Sequence, residues 1–309
     1  MAARSGAASA QGTDRATKRT APSFGPNGDL DHTDPDQQRP GGRPSERVGV
    51  LRRRDGEITS ASDSVAVEEP LEIRVNGQAV AVTMRTPGSG EDTELALGFL
   101  HGEGITTHNQ VARVRECRAP EGDGGIAEVD LRGELDPAGG WQRQFYATSS
   151  CGICGKASID AVRAAADPVQ DGPIIDSRAL DALPEVLREN QRVFERTGGL
   201  HAAGLFNSTG ELVVLREDVG RHNAVDKVIG RALMRELVPL DDQILLVSGR
   251  ASFEIVQKAV LAGIPILAAV SAPSSLAVRL AEEANMTLIG FLRPGGFNIY
   301  AGGERIQPE

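Results

Sequence analysis

The chain has 309 residues, 40% of them hydrophobic, a formal net charge of -10 and only three cysteines. That length is enough for about two domains with a substantial core, and the acidic balance argues against non-specific binding to nucleic acid or an anionic membrane. Three cysteines do not make a disulfide framework, so a reducing compartment is expected, and neither a bilayer-spanning apolar run nor the apolar core of a secretion signal is present.

Residues 1–46 are rich in Gly, Pro, Ser, Asp and Arg and nearly devoid of large apolar side chains. Such a stretch buries too little surface to offset its ordering entropy and is expected to be a disordered tail. Residues 47–140 read as an α+β domain rich in strands. Val48–Leu51, Ser64–Val67 and Leu71–Val75 are strand-like, and Asn76-Gly77 between Leu71–Val75 and Ala79–Met84 is a hairpin signal. Glu91-Asp92-Thr93-Glu94 opens a helix with acidic residues in its first turn. Val111–Cys117 and Gly125–Leu131 are further strands, in which Cys117 reads as a packing residue.

Residues 141–309 form the second expected domain, and the stretch richest in chemistry stands near its start. Ser149-Ser150-Cys151-Gly152-Ile153-Cys154-Gly155-Lys156 carries two thiols between the strand-like Phe145–Thr148 and the helix-forming Ala157–Ala166. A helix start favours a thiolate over a thiol, and Lys156 adds a cation. Such surroundings bring a cysteine from ~8.5 to about 7 or lower. A second thiol three residues on can resolve a disulfide or persulfide formed on the first. A structural zinc site needs two more ligands, and no second C-x-x-C or H-x-x-x-H is present to supply them.

Downstream, Leu200–Phe206 and Glu211–Arg216 flank the turn Asn207–Gly210 and predict a second hairpin. It leads into the polar junction Glu217-Asp218-Val219-Gly220-Arg221-His222-Asn223-Ala224-Val225-Asp226-Lys227, which continues as a helix to about Leu237 and has the composition of a site. The remainder alternates regularly: strands at Ile244–Val247, Pro265–Val270 and Met286–Phe291, helices at Phe253–Ala262 and Leu276–Asn285. Strands joined by helical crossovers run parallel, so their C-termini share one rim, where α/β proteins bind ligands. The loops leaving it are Ser248-Gly249-Arg250-Ala251-Ser252, Ser271–Ser275 and Leu292-Arg293-Pro294-Gly295-Gly296. Their hydroxyls, backbone N–H groups and two arginines suit phosphate or pyrophosphate.

Taken together, Cys151-Gly152-Ile153-Cys154-Gly155, the Glu217–Lys227 junction and Ser248-Gly249-Arg250 resemble the FdhD family of formate dehydrogenase accessory sulfurtransferases. The resemblance spans about Val48 to Gly302. It implies a cytoplasmic, homodimeric protein of cytidine deaminase-like α/β fold without zinc. Such a protein takes persulfide sulfur from a cysteine desulfurase and passes it to the bis(molybdopterin guanine dinucleotide) molybdenum (or tungsten) cofactor before that enters formate dehydrogenase. By motif, Cys151 carries the persulfide and Cys154 is its companion. Phe291-Leu292-Arg293-Pro294-Gly295-Gly296 matches the cofactor-binding stretch, with Ser248, Gly249, Arg250 and Ser271 on the same rim. Three other readings compete. His101-Gly102-Glu103 followed by the cysteine pair superficially matches a zinc deaminase, though Ser150 stands where that motif has proline. A thioredoxin-like redox protein and a cofactor chaperone without thiol chemistry are the others.

Overall fold

The computed structural model describes residues 42–118, 124–133, 169 and 172–308. Residues 1–41 of the expected tail, the boundary expected at residue 140 and the whole stretch around Cys151 and Cys154 lie outside the described residues, whereas Ser45 and Glu46, also assigned to the tail, belong to the first strand, where they pair with Ala66 and Val65.

The N-terminal strands follow the sequence pattern. β1 (Ser45–Arg54) and β2 (Glu57–Ala66) form a two-stranded ribbon, and β3 (Glu69–Val75) and β4 (Gln78–Arg85) form the hairpin that Asn76-Gly77 predicts. Asn76 and Gly77 have φ of 50° and 81°, the pair of left-handed residues that a tight hairpin turn requires. After α1 (Glu91–Gly102) come β5 (Val111–Arg118) and β6 (Gly125–Leu131), which complete a four-stranded sheet of order β4-β3-β6-β5.

The larger sheet comes from the second half of the chain. A short β7 (Ile175–Asp176) leads into α2 (Ser177–Asn190) and α3 (Arg192–Thr197), two helices that the sequence analysis did not identify. Then follow β8 (His201–Phe206), β9 (Leu212–Asp218), α4 (Arg221–Met234), β10 (Ile244–Val247), α5 (Phe253–Leu261), β11 (Ile266–Ala269), α6 (Ser275–Glu283), β12 (Thr287–Arg293), β13 (Gly296–Ala301) and β14 (Ile306–Gln307). Six strands pair in the order β13-β12-β11-β10-β8-β9. The β10–β11 and β11–β12 pairs are parallel, as the alternation requires, whereas β8 and β13 run antiparallel to their neighbours.

Period-2 alternation sorts the sheet's side chains onto two faces. Ile244, Leu246, Ile266, Ala268 and Ile289 meet Leu180, Leu183 and Leu187 of α2. Leu245, Val247, Leu267 and Leu288 face the opposite way, into a core shared with α4, α5, α6, α1 and the four-stranded sheet. The result is a mixed α/β structure of several sheets and six helices among the described residues. Helix α4 ends at Met234, sooner than its pattern implies, because Glu236 turns left-handed (φ 56°) and the Leu237 N–H folds back to the Ala232 carbonyl at 3.0 Å.

Helices α1 and α4 cross at two glycines. A Cβ on Gly98 would collide with the Asp226 carbonyl, and one on Gly230 with the Glu94 carbonyl, both of them rigid backbone. Gly230→Ala is therefore expected to cost about 3 kcal/mol or more, read as a lower denaturation midpoint at unchanged m-value. Gly49→Ala, where an added methyl meets nothing within 4 Å, should leave the midpoint unchanged.

Glu116 on β5 approaches the start of α1, accepting from the Thr93 N–H at 3.3 Å. Burial first, and then the Asp92 carboxylate, raise its pKa to about 7. The folded state thus favours the neutral acid. Its contribution to stability is complete below the ordinary value near 4.5 and is lost as pH rises through 7. Glu116→Gln should gain melting temperature over the parent steadily between pH 5 and pH 8, and an offset independent of pH would contradict this.

Candidate functional site

The polar junction after β9 divides by helical pitch. Residues 223, 226 and 227, three and four apart, share the inward face of α4, while Arg221 and His222 lie towards the sheet's rim. Lys227 is fully buried. Its ammonium is 2.8 Å from Asp218 Oδ2 and 2.9 Å from Glu91 Oε2, and donates to the carbonyls of Thr86 (2.8 Å) and Glu217 (3.3 Å). Burial alone would lower its pKa, but the Asp218 and Glu91 carboxylates outweigh burial and hold it raised. Asp218 also accepts from the Thr86 and Gly220 N–H groups and from Asn223 Nδ2 (3.1, 2.8 and 2.9 Å). Glu217 receives the first N–H groups of α3, Val193 at 2.9 Å and Phe194 at 2.7 Å. One turn along α4, Asp226 binds Lys258 of α5 at 2.8 Å, and Lys258 binds Glu103 at 2.9 Å. Most of the motif's charges are therefore framework, and only Arg221 and His222 are left for the rim.

The rim brings together the loops after β10 and β11. Ala251 and Pro273 form a β-bridge, and the Ser274 N–H donates to the Ala251 carbonyl at 3.0 Å. The Phe291 N–H reaches the Ser271 carbonyl at 3.2 Å. Gly290 permits that approach, since a Cβ there would stand 2.9 Å from Pro273 Cδ. Ser248 extends the sheet, its hydroxyl accepting from the Ala202 N–H at 2.8 Å. Gly249 borders His201 at the start of β8, and Arg250 is exposed with no hydrogen bond or ion pair to a described residue.

Beyond Phe291, the expected loop is a β-hairpin. Arg293 pairs with Gly296 across Pro294-Gly295, and the Gly295 N–H donates to Asp181 of α2 at 3.2 Å. Leu292 points into the α2 side of the core and is fully buried, whereas Phe291, Arg293, Pro294 and Gly295 are exposed. Phe291 has φ 54°, a left-handed conformation unfavourable for an aromatic residue, at a register shift between Gly290 and Arg293. This strand was not legible because the short apolar stretch after two glycines exists as a strand only through its pairing with β12.

Sequence reasoning placed Ser252 in a rim loop but did not bring His201 or Glu254 to the rim. His201 opens β8 on this edge because β8 runs antiparallel to β10. Ser252, before α5, stands with its hydroxyl 3.1 Å from His222 Nε2, and Glu254 lies 4.0 Å from the same nitrogen. Burial and then the Arg221 charge lower the pKa of both histidines, His222 to about 4. From His201 and Ser248 a groove of ≈ 570 Å³ runs along Leu187, Arg188 and Phe194, where the Arg188 guanidinium lies 4.8 Å from the Phe194 ring centre.

Of the residues of the deaminase-like reading, His101 and Glu103 are engaged elsewhere, and the cysteine pair lies outside the described residues. His101 Nε2 lies 3.0 Å from the Leu261 carbonyl, and Glu103 holds Lys258. Among the described residues, no group of three or more His, Cys, Asp or Glu side chains is placed to hold a metal ion.

Lys227→Met leaves two carboxylates buried without their cation and is expected to cost about 3–5 kcal/mol. Adding Asp218→Asn should recover part of that loss in a double-mutant cycle. Additive losses would show that the pair is not coupled.

The family profile described as FdhD/NarQ matches residues 66–307. A relative from Streptomyces coelicolor, named sulfur carrier protein FdhD, is 53% identical over 274 residues, covering 86% of this chain and 96% of its own. One of the same name from Mycobacterium tuberculosis is 51% identical over 261 residues, covering 81% and 94%. Among solved structures, a Desulfotalea psychrophila protein described as a formate dehydrogenase accessory protein superposes with a TM-score of 0.69 at 26% identity, covering 86% of this chain and all of its own. On the profile match and on identity above one half across nearly the whole of these relatives, the chain belongs to the FdhD/NarQ family.

Proposed function

We propose that the chain is a sulfur carrier serving formate dehydrogenase, with Cys151 as the atom that bears the sulfur. The observation that carries this reading is the match, along nearly their whole length, to relatives named sulfur carrier protein FdhD. The C-x-x-C pair supplies the nucleophile that such a task needs. In the first step the Cys151 thiolate attacks the outer sulfur of a cysteine desulfurase persulfide. A new S–S bond forms, the old one breaks, and the desulfurase cysteine leaves as thiolate. In the second step the sulfane sulfur passes to the metal of a molybdenum (or tungsten) bis(molybdopterin guanine dinucleotide) cargo. The metal gives up two electrons to make it a sulfido ligand, and Cys151 returns as thiolate.

The rim supports the choice of cargo. Arg250 and Arg293 have no partner among the described residues, and the Ser271–Ser275 loop adds hydroxyls beside them. Guanidinium groups in search of an acceptor, next to hydroxyls and backbone N–H groups, are suited to a pyrophosphate. In this reading Arg250, Arg293 and Ser271 contact the cargo, with Gly249, Gly295 and Gly296 allowing its close approach, and Leu292 anchors the hairpin. Cys154 resolves or shields the persulfide. A cytidine deaminase-like fold, a homodimer, docking on formate dehydrogenase and action in the cytoplasm belong to the same reading. Among the described residues no helix is long and apolar enough to cross a membrane.

Incubation with a desulfurase and cysteine should add one sulfur (about 32 Da) to Cys151, trapped by alkylation and located by mass spectrometry. Cys151→Ala should fold normally yet yield formate dehydrogenase at background activity. Full activity in a strain carrying only that variant rules the carrier role out.

A further inference from the structure

β1 and β2 pair with each other and with no other strand among the described residues, so their ribbon belongs to neither of the larger sheets. Ten residues a side give it a reach of about 33 Å. It closes on the tight turn Asp55-Gly56, both residues left-handed (φ 49° and 90°). At its base the Val67 N–H donates to the Pro44 carbonyl at 3.0 Å, and β2 lies beside α3. The cross-strand register runs unbroken from Ser45–Ala66 to Arg54–Glu57 and sorts the side chains onto two faces of different character. One face carries Glu46, Asp63, Arg52, Arg54 and Glu57, whose charges offset each other: Arg52 binds Asp63 at 3.2 Å, and Arg54 stands across from Glu57. The other face is built from the pairs Arg47–Ser64, Gly49–Ser62, Leu51–Ser60 and Arg53–Ile58 and holds no carboxylate. Leu51 and Ile58, diagonal neighbours near the tip, are 76% and 65% exposed. Neither Arg47 nor Arg53 has a hydrogen bond or ion pair to a described residue.

A two-stranded ribbon that stands apart from other strands is only marginally stable in water, and an apolar pair exposed on it is unfavourable until something covers it. We infer that the face of Leu51, Ile58, Arg47 and Arg53 is a docking surface for the cysteine desulfurase, which meets it with an apolar spot bordered by carboxylates. The small side chains of Gly49, Ser60 and Ser62 keep the face flat, so a folded surface can lie against it. Unpaired guanidiniums beside an apolar centre are the composition of a protein interface, and here they call for carboxylates opposite. Nucleic acid fits less well, since the face offers two cations and the ribbon's other face carries three carboxylates. A second copy of this chain fits less well too, because a two-fold axis on this face sets guanidinium against guanidinium with no acid between them. Of the two protein partners in the carrier reading, the desulfurase must bring its cysteine directly to the carrier's thiol, whereas formate dehydrogenase receives the cargo held at the rim. The inference rests on the carrier reading for the identity of the partner. The face itself is defined without the thiols.

The test uses the full-length protein and the cysteine desulfurase of the same organism. By titration calorimetry the double variant Leu51→Ser/Ile58→Thr should bind the desulfurase about tenfold more weakly than the parent. Arg53→Gln should lose about threefold at low ionic strength and converge on the parent as salt is raised. Arg54→Gln, the same charge change on the opposite face, should bind as the parent does. All three should melt with the parent, because the side chains removed face solvent, and a lower melting temperature would give the face an internal role instead. Parent-like affinity in the double variant, an equal loss in Arg54→Gln, or no binding by the parent would each overturn the docking face. So would a change of oligomeric state in the double variant, read by sedimentation, which would make the face a contact between copies. Desulfurase-dependent loading of Cys151, read by mass spectrometry, is scored separately. Loading of the double variant at the parent's rate sinks the docking face alone, and ribbon-dependent binding without loading of the parent sinks the carrier reading alone.

Discussion

The rest of the structure depends on one buried ammonium. Lys227 meets Asp218 at the end of β9, Glu91 at the start of α1 and the Thr86 carbonyl after β4, and these segments lie up to 141 residues apart in sequence. A charge taken out of water must be fully satisfied, so these segments cannot separate without exposing an unpaired ion to a low dielectric. The Gly98 and Gly230 contacts act in the same place, letting the α1 and α4 backbones touch while Asp226, Lys258 and Glu103 tie α5 to both helices. The orientation of α4, and with it the position of Arg221 and His222, follows from those two constraints.

That arrangement separates two kinds of polar group. Inward ones are paired, in most cases more than once: Glu217 on α3, Asp218 on Lys227, and Glu94 on Arg216 at 2.7 Å and Arg231 at 3.7 Å. Outward ones on the rim (Arg221, Arg250 and Arg293) have no such partners among the described residues. A protein of net charge -10 thus presents cationic donors where its parallel strands end. The acidic bulk argues against non-specific polyanion binding, and the local cations favour one shaped anionic ligand. The left-handed Phe291 and the core-bound Leu292 beside it place the Arg293 hairpin at the far end of that edge.

Much of the architecture was legible from the chain. The parallel β10-β11-β12 run is written in apolar stretches of four to seven residues punctuated by helix-forming segments, and the first hairpin in Asn76-Gly77. Helix α2 was legible too, since Leu180, Leu183 and Leu187 repeat at helical spacing, but the signal was not used. Strand β13 and the groove were not legible, because each exists only through elements remote in sequence.

By itself the sequence determined the α/β alternation, the thiol pair and the membership of a rim, because side-chain periodicity and turn chemistry are local properties. Only the tertiary structure decided what the polar junction is for. Glu217, Asp218, Asn223, Asp226 and Lys227 read as a candidate site in the chain and are mostly internal framework in the fold, while Arg221 and His222 face the rim. The difference lies in which carboxylates, carbonyls and glycines from α1, β4 and α5 meet each side chain, and those partners are a hundred residues away or have no sequence signature at all.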